Sequence, residues 1–176
     1  MQKKSDEKQL LAGNRFDVHA MELVGSDGKT YIREVVRHPG AVLLLPILDN
    51  GDVVMIENYR PTIDQTLLEL PAGTREPGEP PEITAERELV EETGYAAGKL
   101  QHLHTYFSAP GICDEQMFLF LATDLTAGDA QREAVEQIEN RVVPIDQAMQ
   151  MIRDGQILDA KTIVGLSLYQ MMPPTT

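Results

Sequence analysis

The sequence predicts an α+β fold, in which a mixed β-sheet is covered by helices and preceded by an extra antiparallel strand pair. One long helix is indicated at about residues 81–93, with strand patterns before and after it along the chain. Two further helical patterns follow near the C-terminus, and the last, which Asp159 can cap, is expected to direct Leu166 and Met171 toward the core. This order suits helices layered on a sheet, and 176 residues are enough for one domain with a substantial core.

We divide the chain into three regions. Residues 1–13 are mostly polar and are expected to form a flexible N-terminus. Residues 14–38 contain two alternating apolar stretches around Gly-Ser-Asp-Gly at 25–28, a pattern typical of a β-hairpin. Residues 39–176 are expected to form the main domain.

An apolar run at 41–48 begins the main domain and should be buried on both faces. The Asn50-Gly51 pair that follows predicts a type I′ turn, which needs positive φ at both central residues. Residues 53–59 are therefore expected to return antiparallel to the run, and a short strand then leads into the long helix.

The ends and faces of the long helix are readable from the sequence. Pro80 and Pro81 suit its start, because their missing N–H groups fall where the helix has no partner for them, and Gly94 suits its end. Placing residues ~100° apart gives two arcs. The apolar arc, expected to pack on the sheet, contains Ile83, Ala85, Leu89 and Val90.

The opposite arc is charged and contains Arg87, Glu88, Glu91 and Glu92. Glu88 and Glu92 lie one turn apart, where like charges repel by ~0.2–0.5 kcal/mol per pair. A cation would remove that penalty, and Mg²⁺ is commonly held by one or two carboxylates. From charge spacing alone, a solvated acidic helix face is the alternative.

The wider pattern resembles the Nudix box. Gly73 is followed after five residues by Glu79, and seven residues later by Arg-Glu-Leu-x-Glu-Glu-x-Gly-Tyr at 87–95. Tyr95 departs mildly from the aliphatic residue that the family more often has there. The resemblance implies the α/β/α Nudix sandwich and a metal-dependent hydrolase of diphosphate bonds.

The resemblance also implies the metal site. Glu88 and Glu92 would be ligands, with the carbonyl group of Ala72, and Glu91 would assist at the metal or its water. The implied cofactor is Mg²⁺, with Mn²⁺ as a substitute. The members of the motif with structural roles would be Gly73, Glu79, Arg87 and Gly94, with Glu79 paired to Arg87.

Two arginines are candidates for substrate binding. A guanidinium group matches phosphate oxygens bidentately, and Arg60 ends a strand whereas Arg33 lies on an earlier one. Either could instead form a surface ion pair with one of the 28 acidic residues. In the family, the arginine at the Arg60 position commonly faces the diphosphate, which favours Arg60 over Arg33.

The loop at 108–115, Ser-Ala-Pro-Gly-Ile-Cys-Asp-Glu, resembles a loop of the ADP-ribose pyrophosphatases and related nucleoside-diphosphate-sugar hydrolases. The resemblance implies that Pro110 and Glu115 contact substrate. By itself, Pro-Gly indicates only a turn. Nearby, His102 and His104 alternate onto one strand face, for which a half-exposed surface is favoured over a zinc site.

The polar segment 129–140 indicates, by composition, a mobile acidic loop. In the ADP-ribose pyrophosphatases, this loop supplies glutamates that complete the metal site and activate water. Matching backward from Asp-Ala-Lys-Thr at 159–162 aligns Glu136 with one of them. The other position falls on Ala134, beside Glu133, so the general base is left open between Glu136 and Glu133.

Composition limits the partners and the compartment. The net charge of −13 argues against a nucleic-acid partner. No apolar run approaches the ~18 residues of a membrane span. The single cysteine, Cys113, excludes an internal disulfide and favours the cytoplasm, and packing is favoured over a nucleophilic role for it. In the enzymes that this sequence resembles, the N-terminal strand pair, here at residues 14–38, often packs against a second subunit, which implies a homodimer.

These observations together predict a metal-dependent hydrolase of a nucleoside diphosphate linked to another group. The first choice of small-molecule substrate is ADP-ribose, giving AMP and ribose 5-phosphate. GDP-mannose or another NDP-sugar is the alternative, because the loop at 108–115 does not separate them. A noncatalytic module that binds ADP-ribose is the alternative from another class, although it would not need all of the carboxylates.

Overall fold

The structure is a computed structural model that describes residues 2–132 and 137–172, without the side chains of residues 2–6. The described residues form ten strands and three helices. The strands are β1 (Gln2–Ala12), β2 (Asp17–Val24), β3 (Thr30–Arg37), β4 (Ala41–Pro46), β5 (Asp52–Arg60), β6 (Gln65–Glu69), β7 (Ala72–Thr74), β8 (Tyr95–Phe107), β9 (Gln116–Ala127) and β10 (Ile138–Pro144). The helices are α1 (Pro81–Thr93), α2 (Ile145–Arg153) and α3 (Ala160–Met171).

A mixed four-stranded sheet, in the order β7-β4-β9-β8, lies at the centre. β4 pairs in parallel with β9 and antiparallel with β7. Helices cover both faces of β4: Val42 clusters with Leu89 of α1, whereas Leu43 clusters with Leu166 of α3. The predicted sandwich and the burial of the apolar run are therefore confirmed.

β5 belongs to a second sheet, in the order β10-β5-β6, rather than pairing along β4. Ile47 and Val53 form an isolated antiparallel bridge before the two strands diverge. The predicted type I′ turn is wrong, because Gly51 has φ of 86° whereas Asn50 is not in the positive-φ region. Instead, Oδ1 of Asn50 accepts a hydrogen bond from the Asp52 N–H at 3.1 Å, and the turn is held by a side chain.

The N-terminal strands form a separate antiparallel sheet in the order β1-β2-β3. β2 and β3 are the predicted hairpin. We did not expect a strand at the N-terminus, but residues 2–12 pair with β2 as β1. A polar composition does not prevent this pairing, since an edge strand tolerates charged side chains and makes its backbone hydrogen bonds on one side.

Helix α1 has the predicted bounds, and Gly94, with φ of 79°, donates its N–H to the carbonyl of Val90. Its buried face differs from the predicted apolar arc. Ile83 is 51% exposed, whereas Glu92, expected on the charged face, is only 4% exposed. The C-terminal turn of the helix lies against other elements: the N–H of Gln131 donates to the Glu91 carbonyl, and the Glu92 carboxylate accepts from the Ala72 N–H.

Helices α2 and α3 close the other side of the central sheet. Asp159 caps α3 as predicted by accepting from the Thr162 N–H at 2.8 Å. Leu166 is fully buried, but the expectation that Met171 packs into the core is wrong, since it is 72% exposed at the last turn. Across the described parts of the chain, no helix has the length and apolarity needed to cross a bilayer.

Candidate active site

A cavity of about 520 Å³ lies where α1, the segment around β7, the end of β5 and the turn between β1 and β2 meet. The predicted site residues in its wall are Arg60, Ala72, Gly73, Arg87, Glu88, Glu91 and Glu92. Carboxylates and guanidinium groups thus share one concave surface. Such a surface can hold an anionic substrate together with a cation.

Glu88 lies directly against the backbone of Gly73. A Cβ atom added to Gly73 would fall 1.8 Å from the carboxyl carbon of Glu88 and about as close to both of its oxygens. The carboxylate therefore occupies space that any side chain at position 73 would fill. This close approach gives a physical reason for glycine at the start of the motif.

Glu92 is hydrogen-bonded to the residue that precedes Gly73. Its side chain is buried, and Oε2 accepts a hydrogen bond from the Ala72 N–H at 2.9 Å. A buried carboxylate requires such partners. The end of α1 is thereby fixed beside Ala72, whose carbonyl group is the third predicted ligand.

Arg87 connects the carboxylates of the helix to the preceding loop. Its Nη1 donates to Glu88 at 2.8 Å and to Glu91 at 2.9 Å, and its Nη2 pairs with Glu79 at 3.2 Å. The predicted link between Glu79 and Arg87 is thus present. Hydrogen bonding to Arg87 is the largest cause that lowers the pKa of Glu79 to about 2, and the Glu76 N–H and the Thr84 hydroxyl add to it.

The donor set suits a hard divalent cation. Carboxylate and carbonyl oxygens are the ligands that such ions prefer, and the space at Gly73 admits the Glu88 carboxylate next to the backbone. Within residues 2–132 and 137–172, no three acidic, histidine or cysteine side chains already converge as a metal cluster. Glu133 and Glu136, the remaining predicted ligand and base, lie outside the described residues.

The described ends of the acidic segment are attached to the C-terminus of α1. Nε of Arg132 donates to the Glu92 carbonyl at 3.0 Å, and its Nη2 donates to Asn140 at 2.7 Å. Asn140 in turn donates to the Thr93 carbonyl at 2.7 Å. We did not predict Arg132 from the sequence, although a cation after a helix is a known partner for its last carbonyl groups.

Arg60 combines both predicted alternatives, because it lines the cavity and also forms an ion pair. Its Nε donates to Oε1 of Glu69 at 2.8 Å, and its Nη2 donates to Oε2. These hydrogen bonds raise the pKa of Arg60 above its already high ordinary value. The guanidinium group is therefore a permanent cation in the cavity wall.

Three predicted substrate-binding residues do not line this cavity. Arg33 is exposed on β3 beside a different surface, Pro110 is exposed, and Glu115 lies 3.5 Å from the His38 ring. The loop at 108–115 is bound to the end of β3, where Asp114 accepts from Arg37 at 2.8 Å. Within one chain these residues stay apart from the carboxylates of α1.

The other singled-out side chains have ordinary surroundings. His102 and His104 are exposed on β8, and His102 contacts Thr105 and the Phe120 ring. Their setting is that of a half-exposed strand face. Burial raises the pKa of the Cys113 thiol, which disfavours a reactive thiolate.

The turn between β1 and β2 contributes residues that the sequence did not indicate. Asn14, Arg15 and Phe16 line the cavity together with residues of α1, and Phe16 is 44% exposed. These residues fall at the start of the region 14–38, for which the sequence predicted only a strand pair. An arginine and an aromatic ring between two strands would have been the available signal.

Comparisons with known proteins bear on this arrangement. The family model of the NUDIX domain matches residues 37–163. The chain is 36% identical over 166 residues to an ADP-ribose pyrophosphatase of Bacillus subtilis (strain 168), covering 93% of this chain and 90% of that protein. It is 31% identical over 185 residues to a GDP-mannose pyrophosphatase of Escherichia coli O1:K1, covering 93% and 92%.

The crystal structure of an ADP compounds hydrolase is similar to this one with a TM-score of 0.83, covering 97% of this chain and 93% of that one. The two sequences are 23% identical, so this likeness bears on the fold alone.

Proposed function

This chain belongs to the NUDIX family, and we therefore propose that it hydrolyses the diphosphate bond of a nucleoside diphosphate linked to another group. ADP-ribose is our first choice of substrate. The observation that carries the proposal is the cavity whose wall contains Glu88, Glu91 and Glu92 together with Arg60. A diphosphate bound there would meet both cation-binding oxygens and a guanidinium group.

The reaction adds water across a P–O–P linkage. The water oxygen forms a bond to one phosphorus, the bridging oxygen leaves with the other, and ADP-ribose would yield AMP and ribose 5-phosphate. A bound divalent ion, for which we propose Mg²⁺ with Mn²⁺ as a substitute, supplies charge neutralisation and lowers the pKa of the attacking water. Glu88, Glu92 and the Ala72 carbonyl group would hold it.

The remaining steps fall to other residues of the chain. Arg60 would bind phosphate oxygens and neutralise part of their charge. Glu136 or Glu133 would receive the proton of the attacking water, and Glu91 would assist at the metal or its water. Arg87 keeps Glu88 and Glu91 on one side of the helix before the ligand binds.

The substrate proposal takes support from the relatives and from the turn between β1 and β2. The Bacillus subtilis relative is named for ADP-ribose. Phe16 and Arg15, which line the same cavity, would contact the base and a ribose or phosphate group of the substrate. GDP-mannose is the second candidate, because the Escherichia coli relative is named for it and aligns over a similar share of the chain.

We further propose that the enzyme works in the cytoplasm as a homodimer with a small-molecule substrate and no nucleic-acid or membrane partner. The single cysteine and the net charge of −13 support the compartment and the absence of nucleic acid. Arg33 at β3 and the loop with Pro110 and Glu115 are retained as candidate substrate contacts.

The test is turnover of ADP-ribose by the purified protein with Mg²⁺, measured as phosphate released by added phosphatase. Glu92→Gln keeps an acceptor for the Ala72 N–H but loses the charge. Since outer-shell changes at metal sites cost 10–100-fold, loss of a ligand should lower kcat by about 100-fold or more. Circular dichroism should show an unchanged fold.

Glu86→Gln, an exposed position of the same helix, is the matched control and should retain full turnover. GDP-mannose, UDP-glucose, NADH and diadenosine polyphosphates assayed in parallel rank the substrates. Binding of ADP-ribose without any turnover would favour the noncatalytic module, and normal kinetics in Glu92→Gln would remove Glu92 from the site.

A further inference from the structure

A buried carboxylate outside the predicted motif sets the orientation of the cavity arginine. Glu69, the last residue of β6, is 1% exposed. Both of its oxygens accept from Arg60, one from Nε and the other from Nη2. Two parallel hydrogen bonds fix the plane of a guanidinium group as well as its position. The orientation of Arg60 therefore depends on Glu69.

Glu69 is in turn held by the first turn of α3. Nζ of Lys161 lies 3.9 Å from Glu69 and 2.6 Å from Asp159. The hydroxyl of Thr162 accepts from the N–H of Leu70 at 2.8 Å and donates to Asp159 at 2.7 Å. The end of β6 is thus attached to α3 through a charge and through a hydrogen bond. The Asp-Ala-Lys-Thr sequence at 159–162 therefore helps to hold Glu69 in place.

The ion pair leaves part of Arg60 available. Nε and Nη2 are used by Glu69, and Nη1 donates to no acceptor among the described residues. Arg60 lines the cavity together with Glu88 and Glu92. A guanidinium group has five N–H donors, so it can bind a carboxylate on one edge and a phosphate on another.

We propose that Glu69 is a positioning residue, which holds Arg60 with its free edge toward the diphosphate of the substrate. The proposal rests on the proposed function, in which Arg60 binds that diphosphate. A guanidinium group that is already fixed loses less conformational freedom when it binds a ligand. A buried ion pair is a weak source of stability by itself, and its best-supported use is to specify one arrangement.

A double-mutant cycle separates this role from a structural one. Glu69→Gln keeps the shape of the side chain and removes its charge. We expect the KM for ADP-ribose to rise about tenfold with kcat changed by about twofold at most, since ground-state and transition-state binding would weaken together. Arg60→Ala should raise KM at least as much.

The decisive comparison is made in the Arg60→Ala background. There, Glu69→Gln should raise KM by no more than about twofold, because the group through which it acts is gone. The same change should raise the melting temperature of Arg60→Ala, since it removes a buried charge that has lost its main partner. Glu57→Gln, on the neighbouring strand β5 and 40% exposed, is the matched control and should leave KM unchanged.

Two results would overturn the proposal. One is a lowered melting temperature of Glu69→Gln with an unchanged KM, and the other is an equal rise in KM with and without Arg60. Should Glu69→Gln fail to fold, Glu69→Asp keeps the charge but shortens its reach, and an unchanged KM there has the same meaning. If the wild type turns over no substrate, the proposed function fails. The affinity of the wild type, the two single variants and the double variant for inorganic pyrophosphate with Mg²⁺, measured by calorimetry, then tests the positioning role of Glu69 by the same comparison.

Discussion

Gly73 is the residue at which one missing side chain matters most for the site. The carboxylate of Glu88 occupies the position of a Cβ atom, with carboxyl oxygens 2.1 Å and 2.2 Å from where that atom would be. Neither β7 nor α1 can move far, because Ala72 is also bonded to Glu92. An alanine at this position must therefore displace the Glu88 side chain.

Gly73→Ala should lower the affinity for Mn²⁺ and the rate of hydrolysis by about 10–100-fold, the range found when metal ligands lose their support. Metal affinity is measured by electron paramagnetic resonance of free Mn²⁺. In a Glu88→Ala background, Gly73→Ala should cause no further loss of Mn²⁺ affinity or of the rate of hydrolysis. It should stabilise the fold there by about 0.4–1 kcal/mol, as glycine-to-alanine changes do in unstrained positions. A loss of affinity of equal size in both backgrounds would contradict displacement of Glu88.

For individual side chains, the sequence predicts contacts within one helix but misses contacts between different strands and helices. The grouping of Glu88 and Glu91 follows from the geometry of a single helix. The pairing of Arg60 with Glu69 depends on how two strands are aligned, which no local pattern fixes. The contact of the Glu92 carboxylate with the Ala72 N–H joins α1 to β7, and the Glu92 carbonyl is bonded to Arg132, forty residues later in the chain.

The loop before α1 behaves as one unit with the helix because of Glu79. Its carboxylate accepts from Arg87, from the Thr84 hydroxyl at 2.8 Å and from the Glu76 N–H at 3.1 Å. The helix has no side-chain cap at Pro80. Glu79 therefore supplies the link between the loop and the first turns that a capping residue would otherwise make.

Glu79→Gln should destabilise the protein at neutral pH, and the effect should fade in acid. The pKa of Glu79 is lowered from 4.5 to about 2 by folding, so its ionised form stabilises the folded state above 4.5. This contribution is lost as the pH falls through about 2. Urea unfolding from pH 7 downward measures the free energy of unfolding of both proteins. The difference between wild type and variant should become smaller below about pH 4.5, and Glu82→Gln is the matched control. A difference in the free energy of unfolding that does not change with pH would contradict this role of Glu79.

Turn chemistry shows why some elements could not be placed from the sequence. Asn50-Gly51 does mark a turn, but the two strands it joins enter different sheets, because each finds a better partner elsewhere. β5 pairs along its length with β10, and β4 pairs with β9. A four-residue turn pattern does not determine which distant strands pair. The helix ends at Pro81 and Gly94 depend on local residues, and they were predicted correctly.

The N-terminal sheet carries exposed apolar side chains, and it is the surface at which we propose that two copies of the chain associate. Leu10, Leu11, Tyr31 and Ile32 are each about half exposed or more on this sheet. Arg33 lies beside them and away from the cavity of its own chain. Its predicted contact with substrate is therefore compatible with this fold only if it reaches the cavity of a partner.

The homodimer that we propose predicts that one added charge on this surface has two effects, on association and on substrate affinity. Ile32 is 63% exposed, so Ile32→Glu should leave the monomer folded while the buried charge in the interface opposes association. Sedimentation equilibrium should show a dimeric wild type and a largely monomeric variant, and the KM for ADP-ribose should rise if Arg33 acts on the partner's site. Thr30→Glu places the same charge at the exposed start of β3 and is the control for charge alone. A wild type that stays monomeric at all concentrations, with Arg33→Ala kinetics unchanged, would remove both the dimer and the predicted role of Arg33.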